Sequence, residues 1–127
     1  MCKLLIIESS AAIRRILIRA AQEADVPLDL VLEAASGIEA LGYLEHHADV
    51  DLILSEADVA GLGGAALISR VREQYSASDL PVLFVDAASP IRRAPLPWRE
   101  LGADGVLCSP FTAQSMHDAL GPFLGHP

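Results

Sequence analysis

Three acidic residues, Glu8, Glu56 and Asp86, each follow a short apolar run directly or after one further residue. Carboxylates gathered in one cleft repel each other, so at least one keeps its proton unless a cation neutralises the group. Three arrangements follow from this chemistry. The three groups hold a divalent ion weakly through their oxygens, two of them share a proton, or Arg92 or Arg93 from a nearby loop pairs with them.

The apolar runs that precede these residues have the length and composition of strands, and helical patterns separate them. Leu4 to Ile7 is continuous, which is typical of a strand buried on both faces of a parallel sheet. Five strands are predicted, at residues 4–7, 28–34, 52–54, 80–85 and 106–108. Four helices are predicted, the first capped by Ser9 or Ser10, the second by a Ser36–Glu39 capping box, the third spanning residues 65–74 and the last capped by Thr112.

Strands that alternate with helices imply a parallel sheet covered on both faces, and right-handed crossovers make that sheet doubly wound. The predicted fold class is therefore α/β, a flavodoxin-like five-stranded parallel sheet with flanking helices. A length of 127 residues suits one domain over residues 1–127. In such sheets functional groups collect at the carboxyl ends of the strands, where the acidic residues lie.

The composition excludes several classes of partner. A net charge of −8 disfavours direct binding to nucleic acid. The apolar runs are too short for membrane insertion, and the start of the chain lacks the pattern of a signal peptide, so we expect a cytoplasmic protein. Cys2 and Cys108 lie far apart without the spacing of a metal site, and we expect both to be reduced thiols.

Six short strings, in order and at nearly constant spacing, resemble the CheY-like receiver domains of response regulators over almost the whole chain. They are LLIIESS at 4–10, IRR at 13–15, DLILSE at 51–56, LPVLFV at 80–85, GADG at 102–105 and SPFT at 109–112. The resemblance implies a domain of two-component signalling that is a signalling module and not an enzyme.

The same resemblance implies that the site for phosphorylation is degenerate. Receivers hold Mg²⁺ with an acidic pair, represented here by Glu8 and Ser9, and accept phosphate on an aspartate, represented by Glu56. Their phosphate-binding hydroxyl and lysine correspond to Asp86 and Ser109. Charge neutralisation of a transferring phosphoryl group depends on that metal and that lysine. We therefore expect no cofactor, and at most weak Mg²⁺ binding.

Other features of the resemblance lie beside this degenerate cleft. Asp58 is placed in the cleft by its position after the third strand. Pro110 is the candidate for a cis peptide bond. The helix that receivers carry before their fifth strand is expected to be shortened, starting near Pro97, because prolines interrupt the segment. Trp98 in this segment is a candidate for partner contact, or equally for packing on the core.

The sequence therefore predicts an atypical receiver domain that is not phosphorylated and acts through protein–protein interaction. Its expected partner is a histidine kinase or an output protein, and a homodimer is an alternative. Two other functions stay open. One is a phospho-receiver with unusual acceptor chemistry at Glu56. The other is a small flavodoxin-like cofactor-binding protein, although the loop after the first strand lacks the glycine that cradles phosphate.

Overall fold

The computed structural model describes residues 2–47, 49–57, 62, 64–87 and 96–124. Strands and helices alternate in the predicted order: β1 (Lys3–Ile7), α1 (Ala11–Glu23), β2 (Leu30–Ala34), α2 (Gly37–His46), β3 (Leu52–Glu56), α3 (Gly64–Arg72), β4 (Val82–Asp86), β5 (Gly105–Cys108), α4 (Ala113–Leu120) and a 3-10 turn (Gly121–Phe123). The strands form one sheet in the order β2-β1-β3-β4-β5, and every pair is parallel. The predicted doubly wound parallel sheet is confirmed.

The sheet is buried on both faces by two separate layers of apolar side chains. One face packs against α2 and α3, and Phe84 is its largest fully buried side chain. The other face packs against α1 and α4 through residues such as Leu17 and Met116. This two-sided burial explains why β1, β3 and β4 read as continuous apolar runs and not as alternating ones. No helix in the described part of the chain is long and apolar enough to cross a membrane.

The predicted helix caps are present, with one difference in detail. The Ser10 hydroxyl accepts from the Ile13 N–H, and the Ser36 hydroxyl accepts from the Glu39 N–H at 3.1 Å. The Glu39 carboxylate does not return to Ser36, as a capping box requires, but accepts from the Ala35 N–H at 3.2 Å. The capping box prediction is therefore half right, because Glu39 satisfies the backbone donor one residue earlier.

The segment before β5 contains turns in its described part, residues 96–104. The Leu101 N–H donates to the Pro97 carbonyl at 3.1 Å, and the Ala103 N–H donates to the Trp98 carbonyl at 2.9 Å. These bonds agree with a helix of about one turn that begins at Pro97, and none of the residues 96–104 is classed as helical. Residues 88–95, including Arg92 and Arg93, lie outside the described residues.

A half-buried ion pair joins the end of α3 to the residue that precedes β5. Asp104 accepts from the Arg72 guanidinium at 2.7 Å and from the Val82 N–H at 2.9 Å. The same guanidinium donates to the Leu80 carbonyl at 2.8 Å. The pair and its backbone bonds therefore fix the edge of the sheet opposite the cleft.

We expect Asp104→Ala to lower the free energy of unfolding by about 2–3 kcal/mol, because it leaves a half-buried guanidinium and a backbone N–H without their acceptor. Urea unfolding measures this. The exposed Arg70–Glu73 pair is the matched control, and Glu73→Ala should change stability by less than about 0.5 kcal/mol. Equal effects of the two substitutions would show that the Asp104 network contributes no more than a surface pair.

Candidate functional site

The register of the central strands brings Glu8 and Glu56 to the same edge of the sheet. Ile7 on β1 lies beside Ser55 on β3, so the residues that follow each of them are neighbours. β3 ends at Glu56, which is half-exposed, and Glu8 is 3% exposed. Parallel strands end together at their carboxyl termini, which is why two residues far apart in sequence meet here.

The Glu56 carboxylate is held by Ser9. Its Oε1 atom accepts from the Ser9 N–H at 2.9 Å and from the Ser9 hydroxyl at 2.6 Å. The second bond is short, as charge-assisted O–H···O bonds are. Ser9, which stands where the resemblance implies a carboxylate, thus donates hydrogen bonds to Glu56, the residue at the position of the phosphate acceptor.

Glu8 and Glu56 are also hydrogen-bonded to each other. Burial and the bond to Glu56 raise the pKa of Glu8 from 4.5 to about 7, although the Ser10 N–H, at 3.0 Å from Glu8 Oε1, and Arg14 oppose the rise. Burial opposes ionisation of Glu56 too, but the bonds from Glu8 and Ser9 prevail and lower the pKa of Glu56. Between the lowered pKa of Glu56 and about pH 7, the two carboxyl groups therefore carry one proton, which resides on Glu8.

Arg14 binds the backbone of Glu8, a contact that the sequence did not indicate. Its Nη1 atom donates to the Glu8 carbonyl at 2.6 Å, and its Nε atom donates to Glu33 at 2.9 Å. The side chain is only 18% exposed, so Arg14 lies against the end of β1 and is not part of the solvent-facing side of α1. The available signal was its place in the first turn after β1, where a long side chain reaches back over the strand end.

The Asp86 carboxylate bonds to the loop that precedes β5. Its Oδ2 atom accepts from the Leu96 N–H at 3.2 Å, and its backbone carbonyl accepts from the Ser109 N–H at 3.1 Å. Within the described ranges, no three His, Cys, Asp or Glu side chains are grouped as a metal site requires. The contacts given for the three acidic residues join the side chain of Glu8 to Glu56 and that of Asp86 to Leu96.

Two further predictions concern the cis peptide bond at Pro110 and the position of Asp58 in the cleft. The peptide bond between Ser109 and Pro110 is cis. Asp58 lies outside the described residues, as do Arg92 and Arg93. Ser109 directly follows β5 and lies next to the end of β4. Its neutral side chain occupies the position where the resemblance implies a lysine.

The order of elements, the cis bond before Pro110 and the acidic strand ends all match one family. The family profile described as "Response regulator receiver domain" matches residues 4–121. The chain belongs to the response regulator receiver domain family. The assignment favours the receiver function over the flavodoxin-like alternative, and receiver domains are signalling modules that interact with kinases or output proteins.

Known proteins resemble this receiver domain over most of its length. A chemotaxis protein CheY homolog of Campylobacter jejuni is 27% identical, covering 97% of this chain and 92% of that protein. A response regulator structure from Chloroflexus aurantiacus is 27% identical with a TM-score of 0.79, covering 98% of both chains. A two-component response regulator/GGDEF domain protein has a TM-score of 0.78 at 24% identity, which shows the fold alone, and this receiver domain spans 47% of that longer chain.

Trp98 is half-buried on the turn before β5 of this receiver domain. It packs against the core layer under α2 and α3, and the Arg99 guanidinium lies 4.8 Å from the centre of its ring. Part of the indole therefore packs on the domain's own core, and Arg99 covers one side of the ring. The half-exposed ring also leaves part of the indole on the surface of a shallow groove lined by residues 96–100.

Proposed function

We propose that this receiver domain acts through protein–protein contacts of its surface and does not switch by phosphorylation. The observation that carries the proposal is the set of bonds at Glu56. The Oε1 atom accepts two hydrogen bonds from Ser9, and the carboxylate is bonded to the protonated Glu8. An acceptor carboxylate must instead attack phosphorus and lose electron density to it, which these donors oppose.

The donor set around Glu56 does not fit Mg²⁺. Magnesium prefers several ionised or neutral oxygen ligands in octahedral geometry. Here Glu8 keeps its proton up to about pH 7, and the Ser9 hydroxyl points its proton at Glu56. Glu8 and Ser9 therefore stabilise an ionised Glu56 themselves, in place of the metal and of the lysine absent at Ser109.

We place the contact with a signalling partner, such as a kinase or output protein, on the turn that carries Trp98. The indole combines apolar area with a ring covered on one side by Arg99, a combination enriched in binding hot spots. The surrounding groove adds Leu96 and Pro97 as apolar contacts. The partner is thus expected to present an apolar side chain to this turn.

We expect acetyl phosphate with Mg²⁺, or beryllofluoride with Mg²⁺, to leave the intact mass and the Trp98 fluorescence of the protein unchanged. A receiver domain with an aspartate acceptor, treated in parallel, verifies the reagents. A Mg²⁺-dependent mass increase of one phosphoryl group located on Glu56 would contradict the proposal and would support the phospho-receiver alternative.

A further inference from the structure

Helix α2 presents an apolar side chain to solvent. Ile38 is 64% exposed, the most of any large apolar side chain in the described part of the chain. The opposite side of α2, with Ala40 and Leu44, packs on the sheet. Helical spacing places Ile38 on a common outer surface with Glu39, Gly42, Glu45 and His46, and we call this surface the α2 face.

Gly42 lies at the centre of the α2 face, and the packing of the domain does not require a glycine at this position. A Cβ atom added there would meet no atom within 4 Å. Glycine in a helix interior costs about 1 kcal/mol relative to alanine, so the residue weakens α2. Gly37 shows the contrast, because its Cβ would lie 2.1 Å from the Leu62 carbonyl oxygen and the fold itself requires glycine there.

An open groove of about 280 Å³ adjoins Gly42. Its lining is Glu39, Gly42, Tyr43, His46 and His47. Tyr43 and His47 form one wall, with ring centroids 5.7 Å apart. The missing side chain at Gly42 thus opens a depression beside a protruding Ile38, and this shape admits the close approach of another helix.

We propose that the α2 face is a dimer interface in which α2 packs antiparallel on α2 of a second copy of this chain, crossing at Gly42. The charges of the face support this occupant. Glu39 lies three residues before Gly42 and His46 four residues after it, so a two-fold axis at Gly42 sets each Glu39 beside His46 of the second copy. The same operation sets Ile38 against the aliphatic part of Glu45.

The antiparallel orientation also follows from electrostatics. Parallel helices would bring like ends of two helix dipoles together, whereas antiparallel helices bring opposite ends together. A single helix crossing buries less than a standard interface, so we expect a weak dimer with a Kd on the order of 100 µM. The inference goes beyond the proposed function and does not depend on it, because the α2 face is separate from the Glu8–Glu56 pair.

Sedimentation velocity of the full chain from about 10 µM to about 1 mM tests the interface, and this range spans the expected Kd. We expect a reversible monomer–dimer equilibrium. Gly42→Ala should weaken association at least about tenfold by filling the crossing point, while raising the urea midpoint through better helix propensity. Opposite signs in the two measurements distinguish an interface glycine from one that only weakens the fold.

Matched variants locate the contact. Ile38→Glu should abolish the dimer, whereas Ile16→Glu, which changes an isoleucine 51% exposed on α1, should leave association within about twofold of the native value. Glu39→Lys should weaken the dimer, and the added change His46→Glu should restore it by exchanging the paired charges. A monomer at every concentration, or a dimer insensitive to Ile38→Glu and Gly42→Ala, would overturn the proposal.

Discussion

Raising the pH from about 5 to about 8 is expected to lower the free energy of unfolding by about 2–3 kcal/mol, since one pKa unit corresponds to about 1.4 kcal/mol. Glu8 holds its proton up to about pH 7 in the folded protein but only up to about 4.5 when unfolded. The folded state therefore binds more protons between these two values, and stability decreases as the pH rises through that window. The lowered pKa of Glu56 acts only on acidification below its ordinary value.

Urea unfolding at a series of pH values measures this dependence. Glu8→Gln keeps a donor for Glu56 but cannot ionise, so it should remove most of the slope between pH 5 and pH 8. Glu100→Gln, on the exposed turn that carries Trp98, is the control and should keep the native slope. A native protein whose stability stays constant or rises across this range would show that the two carboxyl groups share no proton.

Phosphate uptake should appear when four residues of the cleft are changed together, Ser9→Asp, Glu56→Asp, Asp86→Thr and Ser109→Lys. These changes supply a second carboxylate for Mg²⁺, a shorter acceptor, a hydroxyl and a cation. We expect incorporation from acetyl phosphate at least about a hundredfold faster than in the native protein, because the metal and lysine stabilise charge in the transition state. Intact-mass spectrometry over time measures the rate.

The same four-site variant with Glu56→Asn in place of Glu56→Asp is its matched control, since it restores the surroundings without an acceptor. It should gain no phosphoryl group. If the variant with Glu56→Asp also gains no phosphoryl group, the native residues at these four positions are not what prevents phosphorylation. The urea midpoint of each variant verifies that the domain stays folded.

The fold was predictable because its signals are local. Apolar runs, caps and turn residues placed every strand within two residues of its observed bounds, and the parallel topology follows from strand–helix alternation. The second strand shows the limit of this reasoning. It was expected from Leu28, but the Leu28 N–H donates to the Val26 carbonyl, and pairing with β1 begins only at Leu30.

The site was predictable in its location and less so in its contacts. Sequence reasoning identified Glu8 and Glu56 and included a shared proton among three arrangements. It could not choose among them, because the choice depends on the directions of side chains at the strand ends. Asp86 bonds to the Leu96 N–H, which lies on an irregular segment, and the inward position of Arg14 depends on Glu33 of another strand.

The burial of β3 and β4 has a consequence for how this domain changes over evolutionary time. In both strands four buried residues are followed by one half-exposed acidic residue. The buried part of each strand stabilises the sheet, whereas the last residue of the strand contributes little to the core. Selection can therefore exchange the chemistry at this edge while the scaffold persists. The same separation makes the domain a suitable host for an engineered site, because new side chains can be installed there without repacking the interior.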